Sequence, residues 1–290
     1  MSRIDEQLAR SRTRIAPAEA RLLLTQVLGR SHAWLAAHGE DAMSEEQSGR
    51  FAELVSRRAQ GEPIAYLVGW REFYGRSFAV TPEVLIPRPE TELLVDLAIA
   101  RLAGSRGNTA APRILDLGTG SGCLGITLAL EIPGARVTAA ELSPAALELA
   151  RSNARALAAP LRLVESDWFS ALADERFDLV VANPPYIAEN DPHLRQGDLR
   201  FEPQRALASG ADGLAAIRRI VARAPRHLEA GGWLMVEHGY DQAEAVAALM
   251  RAAGFAAIEQ RRDLAGILRI SAARFGKGAE TALDVGAADP

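Results

Sequence analysis

From about residue 112 onward, short apolar runs alternate with stretches whose apolar residues recur every three or four positions. RILDL (113–117), ARVTAAE (135–141), LRLVES (161–166), FDLVVAN (177–183) and GWLMVEHG (232–239) read as strands. GCLGITLALEI, SPAALELARSNARAL and DGLAAIRRIVARAPRHLEA, lying between and after them, read as helices. Nearly apolar strands separated by amphipathic helices predict an α/β domain whose parallel sheet is covered on both faces. Segments near 256–262 and 265–274 are expected to close the sheet as an antiparallel pair at its edge.

The first 75 residues have a different period. PAEARLLLTQVL (17–28) opens with a proline where a helix tolerates one and carries Leu22, Leu23, Leu24, Val27 and Leu28 as an apolar stripe. Ser44 followed by Glu45, Glu46 and Gln47 forms a capping-box pattern for a helix bearing Phe51, Leu54 and Val55. Residues 1–75 therefore predict a small helical bundle. RSFAVTPEVLIPRP (76–89) holds three prolines and no helical period, an extended linker or hairpin, after which TELLVDLAIARLA starts a new helix. Four regions result: a bundle (1–75), a linker (76–90), a sheet-containing domain (91–276) and a tail of small residues (277–290). Residues 187–210 are long and polar for a connection inside a compact domain, which predicts a functional lid.

Composition narrows the chemistry. The 290 residues are 48% hydrophobic and 24% charged, a globular profile, and no apolar run approaches the ~18 residues of a membrane helix. The charged N-terminus lacks the apolar core of a secretory signal, and one cysteine, Cys123, excludes an internal disulfide. A cytoplasmic protein is expected. The net charge of −4 has no dense basic stretch behind it, which disfavours affinity drawn from nucleic-acid phosphates. His32, His38, His193, His227 and His238 are scattered without metal-ligand spacing, so no metal site is expected.

Four strand ends carry the candidate chemistry. Gly118, Thr119, Gly120, Ser121 and Gly122, preceded by Asp116, form a G-x-G-x-G turn whose missing Cβ atoms let the backbone approach a ligand. The spacing departs from the G-x-G-x-x-G of dinucleotide folds, which favours S-adenosylmethionine, a ligand with no pyrophosphate to seat. Glu141, ending the next strand, can accept hydrogen bonds from both ribose hydroxyls. Asp167 beside Trp168 can accept from an adenine amine and offer it an apolar face, although Trp168 and Phe169 also suit a core. Asn183, Pro184, Pro185 and Tyr186 form the most specific element. An amide or aromatic amine is a poor nucleophile because its lone pair is delocalised. A site that accepts both N–H hydrogens, at the Asn183 side-chain oxygen and the Pro184 carbonyl, holds it in line for a methyl group. The prolines stiffen that turn, and Tyr186 can cover the planar group.

With these residues in view, the chain resembles the HemK/PrmC family of release-factor glutamine methyltransferases. GEPIAYLVGWREFYG (61–75), LIPRPETE (85–92) and RFEPQRALASGADG (200–213) carry the resemblance across nearly the whole length. It implies a seven-stranded Rossmann-like class I methyltransferase domain joined by a β-hairpin to the helical bundle. The implied reaction transfers methyl from S-adenosylmethionine to the glutamine side-chain nitrogen of the GGQ motif in class I peptide-chain release factors. It implies donor binding by residues 118–122, Glu141, Asp167, Trp168 and Asn183, and substrate binding by Asn183 to Tyr186. Two features depart from the family's pattern: Glu141 where aspartate is frequent, and the pair Ile267 and Leu268 where a charged pair usually follows DLAG. Two rival readings are an adenine-N6 nucleic-acid methyltransferase and a non-catalytic binding protein of the same shape. The first normally needs a target-recognition region and a basic surface to flip a base, and the acidic balance argues against it; retention of both halves of the site argues against the second.

Overall fold

The computed structural model describes residues 2–103 and 111–276. The 277–290 tail lies outside the described residues. Five helices open the chain: α1 (Ile4–Ser11), α2 (Pro17–Leu28), α3 (His32–Ala37), α4 (Glu45–Ala59) and α5 (Ile64–Val68). Their shared core gathers Ile4, Leu23, Leu24, Met43 and Phe51. The box before α4 forms as its sequence predicts. Ser44 Oγ accepts from the Gln47 amide at 3.1 Å, and Gln47 Oε1 accepts from the Ser44 amide at 2.9 Å.

A hairpin follows, β1 (Trp70–Phe73) and β2 (Arg76–Ala79), turned by Tyr74 and Gly75 at φ +51° and +70°. Two consecutive left-handed residues make the tight turn whose twist matches that of the strands. The helical part therefore ends at Val68, several residues before the expected boundary near residue 75. WREF is too short for its strand alternation to separate from the helix before it. Phe73 and Phe78, both buried, meet edge to face under the hairpin. Its tip docks on α6 (Glu92–Ala103), where the Tyr74 amide donates to Glu92 Oε1 at 2.7 Å.

Beyond α6 the alternation holds: β3 (Arg113–Leu117), α7 (Cys123–Glu131), β4 (Arg136–Glu141), α8 (Pro144–Ala156), β5 (Leu161–Glu165), β6 (Phe177–Ala182), α9 (Ala215–Arg223), β7 (Leu228–Glu237), α10 (Ala243–Ala252), β8 (Phe255–Arg262) and β9 (Leu268–Phe275). The seven-stranded sheet runs β5-β4-β3-β6-β7-β9-β8; the five strands from β5 to β7 pair in parallel, and β9 pairs antiparallel with β7 and β8. Separate apolar clusters cover its two faces.

A second expected boundary is corrected. The helix read through Leu228, Glu229 and Ala230 stops earlier: a 3₁₀ turn spans Ala224–Arg226 around Pro225, and β7 begins at Leu228. Pro225 has no N–H to continue the helix, and Leu228, fully buried, pairs with Phe177 instead. The DLAG departure leaves the edge intact, with Leu268 opening β9 in register with Arg262.

The long polar connection is a fastened strap. It is built from 3₁₀ turns at Pro192–Arg195, Gly197–Phe201 and Gln204–Ala206. Its buried Glu202 pairs with Arg88 and accepts from the Ile86 amide at 3.0 Å. Asp198 pairs with Arg58 of α4 at 3.3 Å, and Arg205 with Glu83 at 2.8 Å. Helical region, linker and sheet domain thus meet along one strap.

Candidate active site

The chain adds β4 and β5 on one side of β3, then crosses to add β6 and β7 on the other. Loops leaving β3 and β6 diverge at that switch point and open a crevice at the carboxyl ends of the strands, where ligands of open α/β sheets bind. The crevice holds a cavity of 330 Å³, a volume suited to a small molecule of about 300–1,000 Å³ sites. Gly118, Thr119, Gly120 and Ser121, Glu141, Asp167 and Trp168, and Asn183, Pro184 and Pro185 all line it. The four strand ends singled out in the sequence converge on one space.

Each end is held by its own bonds. Asp116, buried under the glycine turn, accepts from Thr119 Oγ1 at 2.5 Å and from the Gly125 amide at 2.9 Å, which pins the turn to the start of α7. Burial pushes the Asp116 carboxyl up to about 7. Glu141 Oε2 accepts from the Gly120 amide and Oε1 from the Ser143 amide, each at 2.9 Å. A carboxylate has about four lone-pair sites, so two remain for hydroxyl donors. Trp168 sits at φ +53°, a backbone state that costs a bulky residue about 1–2 kcal/mol. Its ring lies against Gly118, where an added Cβ would come within 3.3 Å of it. Asp167 pairs with Arg219 at 2.6 Å, while Phe169 is core, buried and stacked on His227 at 4.5 Å.

Two expected site residues stand elsewhere. Gly122 does not line the cavity; it caps α7 at φ +84°, and an added Cβ would meet Ile126 Cδ1 of α7 at 2.8 Å and Ala150 Cβ of α8 at 3.2 Å. Gly122→Ala is expected to destabilise the fold by about 1–3 kcal/mol, combining left-handed strain with overpacking. Urea unfolding with a lowered midpoint and unchanged slope checks this. Tyr186 lies outside the main cavity, beside a 60 Å³ recess also lined by Leu85, Arg88, Asn183, Pro184 and Leu199.

Asn183 is the most unusual group. Its Nδ2 donates to Thr91 Oγ1 at 3.0 Å, while its Oδ1 is buried with no hydrogen-bond partner. An unpaired buried amide oxygen costs about 1–3 kcal/mol unless a ligand supplies the donor. Thr91 in turn donates to Glu237 Oε2 at 2.7 Å, and the Tyr186 hydroxyl donates to Oε1 at 3.3 Å.

Sequence reasoning missed several of these groups. Thr91 was visible only as part of LIPRPETE, and Glu237 only as a charge ending an apolar strand. Asn153, buried on α8, accepts from the Ala79 amide and donates to the Ser121 carbonyl at 2.8 Å, so one side chain clips hairpin and glycine turn together. Leu142 stays 61% exposed at the cavity wall, an apolar surface without a covering neighbour.

Comparison with known proteins follows this geometry. The PrmC N-terminal domain matches residues 1–69, and the methyltransferase small domain matches residues 93–198. The release factor glutamine methyltransferase of Bordetella pertussis is 55% identical over 254 residues, covering 87% of this chain and 93% of the relative. That of Escherichia coli is 43% identical, covering 89% and 91%. Among solved structures, the hMettl16 catalytic domain in complex with a MAT2A 3′UTR hairpin has a TM-score of 0.56 at 16% identity, covering 87% of this chain and 95% of that one. The Thermus thermophilus 16S rRNA N2 G1207 methyltransferase in complex with AdoMet and guanosine has a TM-score of 0.53 at 23% identity, covering 71% and 49%. These two share the fold. The close relatives settle more than the fold: the chain belongs to the family of release factor glutamine methyltransferases.

Proposed function

We propose that the chain transfers a methyl group from S-adenosylmethionine to the N5 side-chain nitrogen of the GGQ glutamine in class I release factors, supporting translation termination in the cytoplasm. Its family supports the substrate, and the observation that carries the chemistry is the unpartnered Oδ1 of Asn183 beside the glycine-turn cavity. When bound, S-adenosylmethionine supplies an electrophilic methyl carbon on a cationic sulfur. The cavity fits that donor: Glu141 keeps acceptor sites for two ribose hydroxyls, and Trp168 and Leu142 offer apolar walls to an adenine beside the Asp167 carboxylate.

The recess beside Asn183 then takes the glutamine side chain. Asn183 Oδ1 accepts one N–H of the substrate amide and the Pro184 carbonyl the other, which directs the nitrogen lone pair toward the methyl carbon. Positioning of this kind converts binding into rate, and effective molarities reach about 10⁵–10⁸ M in well-aligned reactions. No residue needs to remove a proton before attack. As the N–C bond forms the methyl carbon–sulfur bond breaks, the electron pair stays on sulfur as neutral S-adenosylhomocysteine, and the nitrogen then sheds one proton to solvent. Residues 1–75, tied through α4 and the strap to the sheet domain, supply a surface for the body of the release factor.

The test is methyl transfer from labelled donor to purified release factor, its GGQ-to-GGA variant, duplex DNA and an RNA hairpin. Label in the GGQ protein alone is expected. Label in either nucleic acid, with none in the release factor, overturns the reading in favour of an amine on a base.

A further inference from the structure

Glu237 ends β7, yet it is almost wholly buried, directly after the apolar run Trp233–Val236. A buried carboxylate costs stability unless it is bonded, and this one spends both oxygens on groups tied to the candidate site. Its position decides a question that an asparagine alone leaves open. An Asn amide is nearly symmetric in shape, so either its oxygen or its NH₂ can face a substrate.

Hydrogen-bond polarity chooses between them. A carboxylate only accepts, so the single hydroxyl hydrogen of Thr91 goes to Glu237 Oε2. Oγ1 of Thr91 then has only lone pairs left for its other neighbour. It takes the Nδ2–H of Asn183, and Oδ1 becomes the free end. We propose that Glu237 is a positioning residue that acts through Thr91 to fix the Asn183 side chain with its oxygen, rather than its nitrogen, presented to the substrate amide. This rests on the reading above that Asn183 accepts from that amide.

The device carries a pH dependence. Burial and the nearby Glu90 push the Glu237 carboxyl up, to about 7, against the bonds from Thr91 and Tyr186 and the charge of Arg269. Arg88, Glu90, Tyr186, His193, Asp198 and Arg269 line the adjoining cavity with it, and its chain neighbour His238 turns away, toward Ser271 at 3.0 Å. Protonated Glu237 becomes a donor to Thr91, whose hydroxyl hydrogen is then free to seek the Asn183 oxygen. The amide turns over and presents two N–H groups where a substrate N–H must bind. The ionised form is therefore the competent one, and activity falls as pH drops through about 7. Asp116 rises to the same region and sits under the donor turn, so the experiment is run at saturating donor.

Three variants test the assignment. Thr91→Val deletes the relay at nearly constant volume and is expected to lower kcat/KM for release factor about 10- to 100-fold with donor affinity within about twofold, while Thr91→Ser restores most of the rate. Glu237→Gln keeps an acceptor for Thr91 but cannot ionise, so its rate should lose the fall below neutral pH that the parent protein shows. A Thr91→Val enzyme as fast as Thr91→Ser, or a Glu237→Gln profile with an unchanged acidic limb, overturns the proposal. A substrate-free readout separates its failure from failure of the functional reading. With ¹⁵N-asparagine label, the Asn183 side-chain NH₂ signal should titrate near neutral pH in the parent and stay still in Glu237→Gln. Equal titration in both rejects the relay, whatever the enzyme methylates.

Discussion

Asn183→Ala is expected to bind S-adenosylmethionine almost as the parent does and to methylate release factor roughly 10²–10³ times more slowly, the loss seen when one pre-organised hydrogen-bonding group is removed. Glu141 and the turn at 118–121, the proposed anchors of the donor, are held by bonds that do not involve this side chain. In the proposed reaction the substrate amide does depend on it, because Oδ1 of Asn183 is buried and without a partner among the described residues. Removing it relieves an uncompensated polar atom but also deletes the bond to Thr91, two effects of similar size and opposite sign, so stability should change by no more than about 1 kcal/mol. Asn183→Asp sharpens the test. It retains an acceptor and the size but loses the Nδ2–H that Thr91 receives, and it brings a negative charge near Glu237 and the sulfonium. Ground-state attraction to a cation whose charge vanishes in the reaction tightens donor binding without lowering the barrier. Single-turnover methylation with calorimetric donor affinity separates the two effects. A near-normal single-turnover rate in Asn183→Ala would reduce the NPPY turn to scaffold.

The sequence made the sheet domain readable because buried parallel strands leave a strong mark: an apolar run, then glycine or a polar group at the end. β3 begins and ends where its pattern predicts, and β4, β5 and β6 differ by single residues at their ends. The strand-end rule also located the glycine turn, Glu141, Trp168 and Asn183, since ligands of such sheets bind beyond those ends. What stayed hidden depends on contacts between distant residues. Trp70–Phe73 is a strand only because Arg76–Ala79 folds back on it. The fastenings of the strap were equally hidden, because Glu202, Asp198 and Arg205 find their partners Arg88, Arg58 and Glu83 only once distant segments are brought together. Thr91 and Glu237 lie 146 positions apart, and no local pattern marks them as hydrogen-bonded neighbours. Gly122 shows a second demand within the same motif: its missing Cβ makes room for Ile126 of α7 and Ala150 of α8, a packing need that the glycine spacing alone does not announce.

Glu141→Ala is expected to weaken S-adenosylmethionine binding by about 1–3 kcal/mol, roughly 5- to 150-fold, because a charged acceptor of hydroxyl hydrogens is lost from a half-buried wall. Part of that loss comes from the protein itself. Glu141 also receives the Gly120 and Ser143 amides, so it ties the glycine turn to the start of α8. Without it the Gly120 N–H faces the cavity unpaired and the turn loses a brace, although Asp116 still holds Thr119 and Gly125 from below. Glu141→Gln divides the two roles. Its one oxygen can take the Gly120 amide, but its NH₂ confronts the Ser143 N–H donor, and a neutral amide accepts more weakly from ribose. It should therefore fall between parent and alanine in affinity. Glu141→Asp retains the charge on a shorter arm and is expected to bind closest to the parent. Titration calorimetry with S-adenosylmethionine and with its decarboxylated analogue gives the ranking, since both carry the same ribose. An alanine variant that is folded by circular dichroism and binds both with parental affinity removes Glu141 from the donor site and leaves it as a brace for the turn alone.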